Sequence, residues 1–129
     1  MSRNKKDNVI RKGYRYVRMI EHPFADSRGF VCEHRLIAEK YLLNNNNAII
    51  IDGKKYLSSS FVVHHIDFNR LNNNKENLMV MKANDHKTMH RKLYDKDYFL
   101  DYCNKFNLDP DITRQIRADF KICNYKKYI

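Results

Sequence analysis

The sequence predicts an α+β fold, a single domain of 129 residues, on three observations. Phe61 to Leu93, FVVHHIDFNRLNNNKENLMVMKANDHKTMHRKL, reads as strand, polar loop, strand and helix. Two short apolar runs, Phe61-Val62-Val63 and Leu78-Met79-Val80-Met81, flank an Asn-rich stretch. Upstream, Tyr14 to Ile20 alternates in the two-residue period of a strand, with Tyr14, Tyr16 and Arg18 set against Arg15, Val17 and Met19. Downstream, apolar residues recur every four positions, the period of helices that bury one stripe. A chain of this length can bury one modest core but not two.

Taken in order, residues 1–12, MSRNKKDNVIRK, read as a basic arm, either solvated or laid along phosphates. Residues 13–60 form an extension of strand, helix and hairpin. His22-Pro23 ends the first strand, because proline cannot donate to a ladder, and Ser27-Arg28-Gly29 turns the chain into Phe30-Val31-Cys32. Glu33 to Leu43 reads as a helix in which His34, Ile37, Ala38 and Tyr41 share one face. His34 thus faces inward, as a hydrogen-bonded core residue or as part of a site. Arg35 points elsewhere, toward a phosphate or a surface acid. Asn44 to Asn47 is loop, and Ala48 to Ile51 meets Lys55 to Leu57 across Asp52-Gly53, the signature of a type I′ hairpin. Residues 61–93 are the central unit. Residues 94–129 read as a helical pair. Tyr94, Tyr98, Phe99, Tyr102, Cys103 and Phe106 form the buried stripe of the first helix. Asp109-Pro110 starts the second, with Ile112, Ile116 and Phe120 inward and Arg114, Arg117 and Lys121 outward.

Composition narrows the function classes. There are 25 Lys and Arg against 15 Asp and Glu, a net charge of +10, which favours polyanion partners. The basic residues concentrate toward both termini, whereas 94–111 is acidic. The cysteines, Cys32, Cys103 and Cys123, are odd in number and form no C-x-x-C pair, which excludes a zinc ribbon and argues against a disulfide framework. No apolar run suits a signal peptide or a membrane span, so a soluble intracellular protein is expected, with no membrane or protein partner.

Four of the six histidines fall in the central unit. His64 and His65 end the first strand; His86 and His90 lie four apart on the helix, on the same side of its axis. A strand-end doublet and an i,i+4 helix pair can close around one point, and neutral imidazole is the commonest metal ligand. Asn77 stands just ahead of the second strand.

This order, His64-His65, Asn77, His86 and His90, with the text HHIDFNRLNNNKENL around it, resembles the HNH endonucleases of the ββα-metal (His-Me finger) class, in the form usual in phage and intron-associated enzymes. The resemblance covers roughly Gly13 to Leu93. Such sequences usually carry glycine where this chain has Phe68. The resemblance implies a ββα-metal (HNH) core at 61–93, with the N-terminal extension and C-terminal helical pair added to it. It implies His65 as general base, Asn77 as the residue orienting its imidazole, and His64, His86 and His90 as ligands of one divalent metal ion, Zn²⁺, Mn²⁺ or Mg²⁺. DNA is the implied substrate, and Arg35, Arg70, Lys87 and Arg91 are the candidate phosphate contacts. Asp67, Asn69 and Asn72 to Asn74 read as turn scaffolding. A metal-stabilised nucleic-acid-binding module without catalysis, and an RNase using the same site, are the alternatives.

Overall fold

A computed structural model describes residues 7–129. The strands are β1 (Asn8–Arg11), β2 (Tyr14–Arg18) and β3 (Phe30–Cys32), followed directly by helix α1 (Glu33–Tyr41). A hairpin, β4 (Ala48–Ile51) and β5 (Lys54–Leu57), leads into β6 (Phe61–His65) and β7 (Leu78–Lys82). Then come α2 (Ala83–Lys92), α3 (Lys96–Lys105) and α4 (Pro110–Lys121). The strands form three separate antiparallel sheets, β1-β2-β3, β4-β5 and β6-β7. With four helices beside them, the α+β class holds.

The N-terminus corrects the expected basic arm. Asn8–Arg11 pairs with β2 in a tight hairpin, Arg11 opposite Tyr14 and Asn8 opposite Val17. Only residues 1–6 of that arm lie outside the described residues. The hairpin turns at Lys12-Gly13, both at positive φ. A Cβ on Gly13 would come within 2.7 Å of the Phe120 ring, so this turn packs closely on α4 and joins the two ends of the chain. The β4–β5 hairpin turns as expected, with Asp52 and Gly53 both at positive φ.

Helix α1 is pinned by Glu39. Its carboxylate accepts from His22 Nε2 at 2.7 Å, Arg35 Nε at 3.2 Å and the backbone N–H of Leu57 at 3.0 Å. Arg35 also donates to the Leu57 carbonyl and lies over the Phe24 ring. This candidate phosphate contact is thus also engaged internally, tying α1 to the end of β5.

β6 and β7 pair in register Val63 with Val80, His64 with Met79 and His65 with Leu78. The loop between them is laced by its own amides. Asn77 Nδ2 donates to Asp67 Oδ1 and to the Asn72 carbonyl, both at 2.9 Å, and its Oδ1 accepts from the Asp67 N–H at 3.1 Å. Asp67 Oδ1 also accepts from the N–H of Asn69. α2 follows β7 without a linker, and the Ala83 N–H returns to the Ser60 carbonyl, fixing the helix against the start of β6.

The core lies between α2, the β6–β7 loop and α3. Phe68, Met89, Leu93, Phe99, Tyr102 and Cys103 are buried together, with Phe106, Leu108 and Ile116 against them. Asp95 and Asp109 cap α3 and α4 by accepting from the N–H of Tyr98 and Ile112. The helical stripe needs correction at its edges. Tyr94 precedes α3 and is 69% exposed, Tyr98 is partly exposed, and Ile112 is 62% exposed on α4, where Thr113 is buried instead.

Phe68 occupies the left-handed region at φ 66°, where the resembling sequences carry glycine. The strain is of order 1–2 kcal/mol, whereas removing a buried Phe side chain costs about 3–5 kcal/mol. Burial therefore wins, and Phe68 is 7% exposed. Phe68→Gly is accordingly expected to destabilise the fold by about 1–4 kcal/mol, the difference between those terms, measured as a lowered urea midpoint.

Candidate active site

The β6 register delivers His64 and His65 to opposite sides of the strand. His64 is 2% exposed. Its ring meets those of His86 and His90 at centroid separations of 5.2 and 5.3 Å. His86 Nε2 and His90 Nε2 stand 2.9 Å apart. One ring nitrogen from each of His64, His86 and His90 lies within 4.8 Å of the other two. The strand-end doublet and the helix pair thus converge.

A hydrogen-bond chain assigns the His64 tautomer. Tyr102 Oη donates its only proton to the Ile66 carbonyl at 2.6 Å. Its contact with His64 Nε2 at 2.8 Å therefore requires the imidazole to donate there, which leaves Nδ1 with a free lone pair. Ligating histidines ordinarily donate their second N–H in this way. Burial, then the neighbouring His86, His90 and His65, pushes the His64 pKa down to about 3. Burial, His86, Arg117 and Arg70 take His90 to about 4, and burial lowers His86. All three rings are held neutral, the form that ligates. The donor set fits one divalent cation.

His65 behaves differently. Its Nε2 lies 2.7 Å from Asn73 Oδ1, and Asn73 Nδ2 donates to Glu33 Oε1 at 2.8 Å. A carboxylate can only accept, so the amide orientation is set, His65 must donate from Nε2, and its Nδ1 carries the lone pair. Burial lowers its proton affinity, partly opposed by the Asn73 bond. Asn77 does not orient this ring, a correction to the sequence expectation; its amide is consumed within the loop. Asn73, expected as scaffolding, makes the contact. Only its neighbour Glu33, forty residues away in sequence, reveals the role.

His34 packs edge-on against His65 at 5.0 Å and beside Tyr14 at 5.6 Å. Its Nδ1 is buried without a hydrogen-bond partner, so it is not the satisfied core histidine of the plainer expectation. Burial, then His65 and Arg35, lowers its pKa to about 3.

These groups share one cavity of about 680 Å³. His34, His64, His65, His86 and His90 line it, as does Arg70, whose guanidinium lies over Tyr14 and donates to the Lys12 carbonyl. Lys87 and Arg91 are exposed on α2 and do not line it. Arg117 and Lys121, expected to point outward from α4, do. Tyr102, expected only as core, holds His64. Helical period located both residues but could not say which face the cavity would meet.

Residues 53–88 match the family model of HNH endonucleases, and over that segment the match supports the HNH endonuclease family. The match supports a nuclease, a hydrolase in the general sense, acting on nucleic acid. The family generally uses a divalent metal, with which the three-histidine cluster is compatible. No curated protein and no solved structure matches the chain. No helix among the described residues is long and apolar enough to cross a membrane.

Neutral buried imidazoles make stability pH-dependent with a definite sign. The unfolded chain takes up protons at these histidines below about pH 6.5, whereas the folded chain resists until about pH 3 to 4. Stability is therefore lost as pH falls through that window, by up to about 1.4 kcal/mol per pH unit for each imidazole. Urea midpoints of the metal-free protein are expected to drop from pH 7 to 4.5, and His34→Asn to flatten that slope.

Proposed function

We propose that the chain is a metal-dependent HNH endonuclease with a ββα-metal core formed by β6, β7 and α2, hydrolysing DNA phosphodiester bonds. The observation that carries this is the convergence of His64, His86 and His90 beside His65, whose proton-accepting nitrogen is left free, in one cavity that arginines also line. A net charge of +10 suits a phosphate backbone as substrate.

His64, His86 and His90 would hold the cation. When bound, it supplies positive charge for a phosphate oxygen and for the leaving 3′-oxygen. The remaining chemistry is done by the chain. His65 accepts a proton at Nδ1 from the attacking water; as it does so, the ring becomes cationic, and the Nε2–H bond to Asn73 strengthens. Glu33 holds the Asn73 amide so that its carbonyl, not its NH₂, faces the ring. Asn77 acts one step back, by fixing the loop that carries Asn73 and Arg70. Arg70 offers its guanidinium to the phosphate. Lys87 and Arg91 extend the contact along the backbone outside the cavity. A site that merely stabilised the fold would leave His65 and its Asn73–Glu33 support without a task.

His65→Ala is expected to lower cleavage of plasmid DNA by ~10²–10⁴-fold, the usual cost of losing a general base, with metal content retained. Loss of metal instead would show His65 to be a ligand. Single-stranded DNA, duplex DNA and RNA run in parallel decide between a DNase and an RNase.

Tyr102→Phe is expected to weaken divalent-metal affinity by about 10–100-fold, read by chelator competition. It frees the His64 tautomer while leaving all three imidazoles in place.

A further inference from the structure

Helix α4 lies wholly beyond the matched segment, yet it reaches the same cavity through Arg117 and Lys121. The Arg117 guanidinium lies 4.7 Å from the Tyr94 ring centre and 5.4 Å from that of Phe68. It donates to the carbonyls of His90 and Leu93, both at 3.4 Å. Arg70 is held similarly, over Tyr14 at 4.7 Å and bonded to the Lys12 carbonyl at 3.1 Å. Aromatic faces and carbonyls orient a guanidinium without neutralising it.

Charge compensation separates these residues from four other arginines, and Arg11, Arg28 and Arg91, which also lack an ion pair among the described residues, do not line the cavity. Arg15, Arg18, Arg35 and Arg114 each have a carboxylate within 4.0 Å. Among the described residues, no ion pair includes Arg70, Arg117 or Lys121. Both arginines line the cavity beside His64, His86 and His90, and Arg117 reaches the His90 carbonyl itself. Two fixed, uncompensated cations thus approach the histidine cluster from different elements, the β6–β7 loop and α4.

We propose that Arg117 and Arg70 form a two-armed clamp on the scissile phosphate, so that α4 belongs to the active site and is not only a cap on the core. This inference rests on the nuclease reading above. Phosphodiester hydrolysis gathers negative charge on the non-bridging oxygens as water attacks, and a guanidinium fork can donate to such oxygens. No proton moves at either arginine; each acts by position and charge.

The test uses Arg117→Gln, which keeps donors for the two carbonyls but removes the charge, with Arg114→Gln as control on the exposed face of the same helix. Binding of the metal-free protein to duplex DNA is measured against salt. The slope of log K is expected to lose about 0.9, one phosphate contact, in Arg117→Gln and nothing in the control. With metal, single-turnover cleavage is expected to fall by about 10²–10³-fold at saturating protein. Metal affinity should be unchanged, and Arg117→Lys should recover the slope but only part of the rate. Should Arg117→Gln melt early, Arg70→Gln carries the same two expectations. A wild type that cuts DNA, with Arg117→Gln matching it in rate and slope, overturns the clamp alone. A wild type that neither cuts DNA nor binds it with salt dependence overturns the nuclease reading and the clamp together.

Discussion

The hydroxyl of Tyr102 is the point at which the separate parts of this molecule meet. It donates to the Ile66 carbonyl where the chain leaves β6, and accepts from His64 on that strand. Its ring is buried with Phe68 and Phe99. One side chain from α3 therefore sets the tautomer of a buried histidine, the start of the β6–β7 loop and the seating of the C-terminal helices. Burial raises the phenol's pKa well above its usual value, so the donated proton stays in place. Breaking this contact would leave an N–H and a carbonyl without their partner in a low-dielectric interior, which is why the arrangement is stiff.

Around that point the electrostatics run in one direction. The imidazoles are kept neutral by burial and by one another, while Arg70, Arg117 and Lys121 at the cavity edge carry no ion pair among the described residues. Carboxylates are drawn away into structural duties: Glu39 holds α1 to β5, Asp119 accepts from Tyr128 and pairs with Lys127, and Asp67 knits the loop. Glu33 reaches the apparatus around His65 through an amide, which transmits orientation without placing its charge against the ring. The cavity is thereby left positive and rich in lone pairs, a combination suited to a cation and an anion bound together.

Much of this was legible in the sequence because local period and spacing suffice to determine it. Alternation placed β2, and short apolar runs placed β6 and β7; i,i+4 spacing put His86 and His90 on one helix face; Asp52-Gly53 and Asp109-Pro110 marked a hairpin turn and a helix start. The histidine set that converges is the set the motif spacing singled out. The corrections share a physical cause. Asn73 and Asn77 are chemically identical, and which of them meets His65 depends on how an Asp-centred loop folds back on itself. Arg35 and Arg117 each sit on an amphipathic helix, but one is turned inward to Glu39 and the other toward the histidines, a choice made by the neighbours of each helix.

What the sequence determined by itself is the α+β alternation, the ligand-type residues and the HNH segment, since these rest on backbone periods and on contacts within some thirty residues. Only the tertiary structure decided that the C-terminal helices enter the site. Tyr102 and Arg117 reach it across 38 and 27 positions, to His64 and His90 respectively. Periodicity marks which residues lie together on a helix, but not what packs against them. Phe68 gives the same lesson in one residue: local preference asks for glycine at that φ, and a core of distant side chains outweighs it.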